Sequence, residues 1–281
     1  MESVRIKAYA KINLTLFITG TEKGYHMLDS LVASIDLYDD IKITARTDRL
    51  INVTMHGEDS ESIPYESNNA VKAAKLFMER FKTTGADITV KKSIPMGAGL
   101  GGSSADAAGV LNGLAKLYKI DDSEGLKLIA DQTGSDTRYM LEGGWARLFG
   151  RGNVIKPVES DLKAHILLLV PEEDISTAQC YSVFDKRGTV GGNSGQAEKA
   201  VTERDINGLA TSLSNALMPA AASISGEIKR CIEELKTLSP LAINMTGSGS
   251  GVYALFENRQ TCANAKNLYK GRARAYISEV K

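Results

Sequence analysis

The feature that most constrains this chain is a glycine-rich stretch at residues 93–106, which reads Ser-Ile-Pro-Met-Gly-Ala-Gly-Leu-Gly-Gly-Ser-Ser-Ala-Asp. Residues 86–90 before it, Ala-Asp-Ile-Thr-Val, include the β-branched residues that favour a strand. After it, apolar residues recur at spacings of three and four up to Tyr118, which indicates an amphipathic helix. The glycines therefore predict a tight turn from strand to helix, with Ser103 or Ser104 as the N-cap of the helix.

A turn of this kind is a candidate phosphate site. The first backbone N–H groups of a helix have no intrahelical partner, and the helix dipole adds about half a positive charge at that end. Glycine lacks the Cβ atom that would keep an anion away from the backbone. The alternative at this point is a glycine turn that serves only the close packing of the helix on the strand.

Two common nucleotide-binding motifs are excluded. Gly97, Gly99 and Gly102 have the spacing of the dinucleotide fingerprint, and Asp121 follows at a suitable distance. That fingerprint needs a second strand before the acidic residue, and residues 117–120 are too few and too polar to form one. The phosphate-binding loop of many NTPases needs a lysine directly after its last glycine, where this chain has Ser103. The cation that accompanies a bound nucleotide must therefore come from elsewhere in the chain.

Composition narrows the possible partners. The 281 residues include 34 lysines and arginines and 34 aspartates and glutamates, and no basic run exceeds two residues. Nucleic acids and anionic membranes usually require more positive charge, so we expect neither as a partner. The longest aliphatic run, at residues 166–170, is too short to cross a bilayer. Three widely spaced cysteines fit a reducing, cytoplasmic environment. The oligomeric state stays open between monomer and homodimer.

Residues 4–18 alternate apolar and polar side chains for most of their length. This pattern predicts one long strand, or two strands joined at a bulge, with one buried face. Lys11 and Asn13 lie on the polar face together with Lys7 and Tyr9. From the spacing alone, the simpler interpretation of Lys11 is a residue on a solvated strand face.

The remaining patterns outline the fold. A polar stretch at 157–163 predicts a boundary between one domain at 1–157 and another at 158–281. The other expected elements are a polar turn at 20–26, paired strands at 41–45 and 51–55, a helix capped by Asn68, a loop at 186–204, helices at 206–217 and 224–236, a strand–loop–strand unit at 243–256, a helix at 259–269 and a strand at 273–280.

Residues 95–104 resemble the central motif of the GHMP kinases, the family of galacto-, homoserine, mevalonate and phosphomevalonate kinases. Further stretches carry the resemblance in the family's order: 10–14 (Ala-Lys-Ile-Asn-Leu), 24–26 (Gly-Tyr-His), 134–136 (Gly-Ser-Asp) with 143–144 (Gly-Gly), 246–250 (Thr-Gly-Ser-Gly-Ser) and, more weakly, 175–178 (Ile-Ser-Thr-Ala). They span nearly the full length. Lys-Ile-Asn together with Gly-Tyr-His is typical of the branch that phosphorylates an alcohol linked to cytidine diphosphate.

The resemblance implies an α+β, two-domain GHMP kinase fold, with a ribosomal-protein-S5-domain-2-like N-terminal domain and a ferredoxin-like C-terminal domain. It also implies ATP and Mg²⁺ as cofactors and a small molecule as substrate. Ser103 and Ser104 are implied as metal ligands. The residues implied at the nucleotide are Asn68, Lys92, Pro95, Gly97, Gly99, Leu100, Gly101, Gly102, Ser103 and Ser104.

Lys11 and Asp136 are the catalytic residues that the resemblance implies. Asp136 would accept the proton of the substrate hydroxyl, and Lys11 would keep that carboxylate ionised and supply the missing cation. Without the resemblance, Asp136 could be only a helix cap, and Tyr25 with His26 only an exposed turn. The residues implied at the substrate are Asn13, Tyr25, His26, Thr177, Gly247 and Ser248.

The sequence departs from the family pattern at several positions. Ser-Ser-Ala-Asp at 103–106 replaces the usual Gly-Ser-Ser-Asp, Thr-Arg-Tyr at 137–139 replaces Val-Pro-Phe, and Asn153 replaces a glutamate. Two alternatives therefore stay open. One is a GHMP kinase for another small alcohol, which would need no pair of residues for cytosine. The other is a nucleotide-binding module without turnover.

Overall fold

The computed structural model of this protein describes residues 2–57, 60, 63–188 and 191–281. Its strands, in chain order, are β1 (Ser3–Asn13), β2 (Thr15–Glu22), β3 (Tyr25–Ala45), β4 (Ile51–His56), β5 (Ala86–Lys91), β6 (Trp145–Gly150), β7 (Val154–Pro157), β8 (His165–Val170), β9 (Ser214–Asn215), β10 (Ala242–Met245), β11 (Val252–Phe256) and β12 (Arg274–Glu279).

The helices are α1 (Asn69–Phe81), α2 (Gly102–Tyr118), α3 (Ser123–Thr133), α4 (Thr137–Glu142), α5 (Thr177–Arg187), α6 (Gly195–Thr202), α7 (Ile206–Ser212), α8 (Met218–Ile224), α9 (Gly226–Lys236) and α10 (Arg259–Leu268). None of the helices in these described ranges is both long enough and apolar enough to cross a membrane.

The chain forms two compact units, and each unit draws on separate stretches of sequence. Unit 1 consists of Met1–Ala10, Leu37–Met96 and Gly101–Gly143. Unit 2 consists of Lys11–Asp36, Gly97–Leu100 and Gly144–Lys281. The predicted boundary after residue 157 stays a prediction.

In unit 1, strand β5 lies between two others. It pairs antiparallel with the end of β3, from Asp40 opposite Lys91 to Ala45 opposite Ala86, and parallel with β4. The prediction that 41–45 pairs with 51–55 is therefore wrong. Parallel strands need a long connection, and α1 supplies it between β4 and β5.

Helix α2 is buried along most of its length in unit 1. Small residues let its backbone approach the neighbouring strands. A Cβ atom on Gly109 would lie 2.7 Å from Ile41 Cδ1, and a Cβ on Gly113 would lie 2.5 Å from Ile43 Cδ1. The helix continues to Tyr118, so residues 117–120 form no strand and the dinucleotide fingerprint is excluded as predicted.

In unit 2, β2 and β3 form an antiparallel hairpin in which Glu22 lies opposite Tyr25. The predicted turn at 20–26 is therefore too long, because only Lys23 and Gly24 separate the two strands. β6 pairs with β3, and β7 pairs with β6. The alternating segment at 4–18 forms two strands, β1 and β2, as one of its two interpretations predicted.

A second sheet of unit 2 has the strand order β10-β11-β8-β12, with antiparallel neighbours throughout. With the helices between β8 and β10 and with α10 between β11 and β12, this is the ferredoxin-like arrangement that the resemblance implied. Its apolar face joins β2 and the surrounding helices in one core, which includes Leu167, Val252, Cys231 and Cys262.

Two predictions about residues 186–217 of unit 2 are wrong. The expected loop at 186–204 contains α6, whose Ala197, Ala200 and Val201 are buried at helical spacing although the surrounding sequence is rich in glycine. The expected helix at 206–217 is divided into α7 and α8. The short strand β9 between them pairs with β2, from Thr15 opposite Ser214.

Candidate active site

The glycine-rich stretch leads into α2 as predicted, but its cap is different. Gly101 occupies the N-cap with φ 71°, a left-handed conformation that favours glycine, and no side chain caps the helix. The first intrahelical hydrogen bond runs from the Ala105 amide to the Gly101 carbonyl, at 2.9 Å. The prediction of Ser103 or Ser104 as N-cap is therefore wrong. The amides of 102–104 precede this bond and face outward from the helix end.

The earlier part of the stretch, Gly97–Leu100, contacts the loop at 246–251 within unit 2. The Ser250 amide donates to the Gly97 carbonyl at 3.1 Å, and the Gly251 amide donates to the Ala98 carbonyl at 3.3 Å. Gly99 has φ 70°, and a Cβ atom there would overlap the carbonyl oxygen of Thr246. The two Gly/Ser-rich segments that the sequence singled out are thus packed backbone to backbone.

Lys92 belongs to a buried charged cluster of unit 1, which we call the Lys92 cluster: Asp39, Lys92 and Asp106. The Lys92 ammonium lies 2.5 Å from Asp39 Oδ2 and 2.6 Å from Asp106 Oδ2. Asp39 Oδ1 accepts from the amides of Ser93 and Ile94 at 2.5 and 2.9 Å. The cluster therefore connects the end of β5 to the first turns of α2.

Within the Lys92 cluster, burial and the neighbouring charges shift the pKa of each group in opposite directions. Burial raises the pKa of the Asp106 carboxyl to about 8, against the opposing charge of Lys92. Burial would lower the pKa of Lys92, but the two carboxylates outweigh it and raise that pKa. Sequence reasoning placed Lys92 at the nucleotide and missed both carboxylates, because nothing in the spacing links residues 39, 92 and 106.

Asp136 directly precedes α4 in unit 1. Its backbone has helical angles, and its side chain makes no capping hydrogen bond to that helix. Asp136 therefore occupies the N-cap position of α4, but its side chain does not cap the helix. Asn68, in contrast, caps α1 as predicted, since its Oδ1 accepts from the Ala70 amide at 2.9 Å.

Lys11 is buried in unit 2, with 6% of its surface exposed, so the interpretation as a solvated strand face is wrong. Its ammonium donates to Asn13 Oδ1 at 2.7 Å and to the carbonyl of Gly99 at 3.0 Å. Its own amide donates to the Leu100 carbonyl at 3.1 Å. A lysine at this position is thus tied directly to the glycine-rich stretch.

Asn13 is the centre of the same network. Its Oδ1 also accepts from the Gly247 amide at 3.0 Å, and its Nδ2 donates to Ser30 Oγ at 2.9 Å. Thr246, which the sequence analysis did not assign to the site, donates from Oγ1 to the Gly99 carbonyl at 3.0 Å. Its only sequence signal was its place at the start of the second Gly/Ser loop.

The predicted substrate residues of unit 2 form polar and aromatic contacts. Tyr25 is about half exposed, and the Arg151 guanidinium lies 3.6 Å from the centre of its ring. His26 Nε2 lies 2.7 Å from Asp185 Oδ1, and the His26 ring lies 4.5 Å from that of Tyr181.

Thr177 and Ser248, both predicted at the substrate, contact each other in unit 2, where Thr177 Oγ1 lies 2.9 Å from Ser248 Oγ. In unit 1, Ser103 is exposed and its Oγ accepts from Asn69 Nδ2 at 2.9 Å. Pro95 and Leu100 are buried residues of the glycine-rich stretch. Within the described ranges, no three His, Cys, Asp or Glu side chains form a group suited to a metal ion.

Comparison with known proteins defines the class. The model of the GHMP kinases N terminal domain matches residues 68–145, and that of the GHMP kinases C terminal domain matches residues 197–269. The chain therefore belongs to the GHMP kinases, and its α+β fold is the two-domain fold of that family.

Within that family, the chain is similar over nearly its full length to kinases of one particular name. A 4-diphosphocytidyl-2-C-methyl-D-erythritol kinase of Acetivibrio thermocellus is 34% identical, with 99% of each chain covered. The kinase of the same name from Clostridium tetani is 34% identical and covers 98% of this chain and 99% of its own. A crystal structure of 4-(cytidine 5'-diphospho)-2C-methyl-D-erythritol kinase superposes with a TM-score of 0.83 at 26% identity, covering 99% of both chains.

Proposed function

We propose that this chain transfers the γ-phosphoryl group of ATP to the 2-hydroxyl of 4-diphosphocytidyl-2-C-methyl-D-erythritol, a step of non-mevalonate isoprenoid precursor synthesis. The observation that carries the proposal is the buried ammonium of Lys11, which is bound to the Gly99 carbonyl of the motif that identifies the family. The full-length similarity to kinases of that name supports the choice of substrate.

The start of α2 fits a triphosphate. Its first amides have no side-chain cap, Gly101 turns the backbone through a left-handed conformation, and the helix is long enough to have a dipole at its end. We assign phosphate binding to the amides of 102–104, and metal binding to the hydroxyls of Ser103 and Ser104. Bound ATP supplies the phosphoryl group, and Mg²⁺ neutralises the charge of its oxygens.

Asp136 is proposed as the base that accepts the proton of the substrate hydroxyl. Lys11 supplies a positive charge that stabilises the negative charge developing on the phosphoryl oxygens. Asn13 orients Lys11 through its amide oxygen, at 2.7 Å from the ammonium. Such a site works mainly by positioning the reactants and by electrostatic stabilisation, as in other phosphoryl transfers.

Tyr25 and His26 are proposed to bind the cytosine ring. Tyr25 is about half exposed and offers an aromatic ring for stacking, and the Asp185 carboxylate fixes the imidazole of His26. Base–aromatic stacking is favourable for any base, so the polar atoms of His26 would supply the preference for cytosine. Thr177 and Ser248, which contact each other, and the neighbouring Gly247 are assigned to the rest of the substrate.

We also infer that the enzyme works in the cytoplasm, where ATP is abundant and where its three buried thiols would stay reduced.

The test is the release of ADP with the proposed substrate, with homoserine, with mevalonate and with no acceptor. We expect ADP only with the cytidine diphosphate substrate, and ³¹P NMR should detect one new phosphomonoester in the product. ADP release with a different alcohol alone would favour another GHMP kinase activity. ATP binding without turnover on any acceptor would favour a non-catalytic module.

A further inference from the structure

Thr137 has a buried hydroxyl group that no interaction in the described structure explains. The residue lies at the first position of α4 in unit 1, directly after Asp136, and is 0% exposed. Its Oγ1 has no hydrogen-bond partner among the described residues. A buried hydroxyl without a partner costs free energy, and valine has nearly the same shape without that cost. The hydroxyl therefore requires another explanation.

The position of Thr137 indicates what its partner is. The Oγ1 atom lies 2.9 Å from the place that a Cβ atom on Gly134 would occupy. Ser104 Oγ lies 2.9 Å from that same place, and Asn69 Nδ2 lies 3.1 Å from it. Because residue 134 is glycine, these three polar atoms converge above its backbone. We call this group the Gly134 cradle: Asn69, Ser104, Gly134 and Thr137.

The Gly134 cradle lies beside the uncapped start of α2. Ser104 belongs to the first turn of that helix, and Asn69 donates to Ser103, the residue before it. Amides and hydroxyl groups are hydrogen-bond donors, and the helix dipole at this end favours negative charge. An anionic oxygen is the acceptor that such a set of donors would bind.

We propose that Thr137 is a further nucleotide-binding residue, whose hydroxyl donates a hydrogen bond to an anionic phosphate oxygen of bound ATP. This inference rests on the proposed function. It adds to that function a residue in unit 1 that makes its hydrogen bond only in the complex. Thr137 then has opposite effects on the two states, since its hydroxyl destabilises the ligand-free protein and stabilises the ATP complex.

The test compares Thr137→Val and Thr137→Ser with the wild type, by thermal unfolding and by calorimetric titration of ATP with Mg²⁺. We expect Thr137→Val to leave the melting temperature of the ligand-free protein unchanged or raise it by about 2–4 °C. Its ATP affinity should fall by about tenfold or more, because hydrogen bonds to charged groups are strong. Thr137→Ser keeps the hydroxyl and should bind ATP within about threefold of the wild type.

Thr133→Val is the matched control. Thr133 is also a buried threonine of unit 1, but its Oγ1 donates to the Ile129 carbonyl at 2.7 Å. Loss of that satisfied hydroxyl should leave ATP affinity unchanged. If Thr137→Val does not fold, the comparison of Thr137→Ala with Thr137→Ser measures the same loss of the hydroxyl.

A folded Thr137→Val protein that binds ATP as tightly as the wild type would overturn the inference. If its melting temperature without ligand is also lower than that of the wild type, the partner of the hydroxyl is a buried water. If the wild type itself shows no stabilisation by ATP, the proposed function fails as well, and the two failures are thereby distinguished.

Discussion

At the scale of single residues, the environment of Lys11 explains how a buried cation could serve phosphoryl transfer. Its two acceptors described above are a side-chain amide oxygen and a backbone carbonyl, at 2.7 and 3.0 Å. Both orient the ammonium. In a buried setting of low dielectric, a positive charge held in this way acts strongly on an anion nearby.

Replacement of Asp136 by asparagine tests the proposed base. The amide keeps the size of the carboxylate but cannot accept a proton, so kcat should fall by about 10²–10⁴-fold. The melting temperature and the ATP affinity should change little, because asparagine keeps the shape of the aspartate side chain and the substitution affects the reaction and not the fold. Steady-state kinetics and thermal unfolding check this. Turnover within a few-fold of the wild type in a folded, ATP-binding protein would show that Asp136 is not the base.

Replacement of Lys11 by methionine tests the proposed cation. We expect a loss of about 10²-fold or more in kcat, and the Lys11→Met/Asp136→Asn double variant should lose far less than the product of both single effects. Residues that act on the same step are not additive. Lys7→Met is the control, since Lys7 lies on the same strand and is exposed. Multiplicative losses in the double variant would show that the two residues act independently.

The aromatic face of Tyr25 can be tested separately from the chemistry. Tyr25→Ala should weaken binding of the cytidine diphosphate substrate by about 1–3 kcal/mol, the usual contribution of one stacked base, and should leave the KM for ATP unchanged. Tyr25→Phe keeps the ring and should behave like the wild type. Equal losses for both substrates would instead indicate that Tyr25 supports the β2–β3 hairpin, in which it pairs with Glu22 next to the turn.

At the scale of the elements, the Lys92 cluster holds both ends of the glycine-rich stretch. Asp39 binds the backbone of Ser93 and Ile94 where β5 ends, and Asp106 lies one turn into α2. Lys92 connects the two carboxylates. The cluster therefore fixes the distance across which the glycines turn, and with it the orientation of the first α2 amides.

Asp106→Leu tests this role of the cluster. In this variant Lys92 stays paired with Asp39. That ion pair has no net charge, so its burial next to the new leucine side chain is compatible with folding. We expect the KM for ATP to rise by about fivefold or more, with kcat and the KM of the other substrate nearly unchanged. Lys91→Met is the control, because Lys91 is the exposed neighbour on β5. An unchanged KM for ATP in folded Asp106→Leu would exclude the cluster from positioning the nucleotide.

The elements also show how far the sequence alone could lead. Local patterns predicted α9, α10, β12 and the strand–turn–helix around residue 100, because each depends on periodicity and turn residues within a short window. They failed where partners distant in sequence decide the outcome. The pairing of β4 with β5, the contact of Lys11 with Gly99, and the carboxylates around Lys92 all join residues that no spacing relates.

At the scale of the whole molecule, the three thiols report on the core of unit 2. Cys180, Cys231 and Cys262 all lie in its hydrophobic core. Burial raises the pKa of Cys180 and Cys262 to about 11 and, with Glu234 and Glu227 adding to it, that of Cys231 to about 12. At pH 8 the native thiols should therefore react with a disulfide reagent only as fast as the core opens, whereas all three should react at once in denaturant.

The same pKa shifts have a defined sign for stability. A thiol that ionises near pH 9 when unfolded and near pH 12 when folded keeps its proton only in the native state between those values. The native state then binds more protons, so the stability associated with Cys231 is present below about pH 9 and declines above it, by about 1 kcal/mol at pH 10.

Guanidinium unfolding of wild type and Cys231→Ala at pH 8 and pH 10 measures this contribution. We expect Cys231→Ala to be less stable at pH 8, because it leaves a cavity, and to lose less stability on going to pH 10. An equal decline in both proteins would mean that the Cys231 thiol titrates alike in the folded and unfolded states, and that the core of unit 2 admits water.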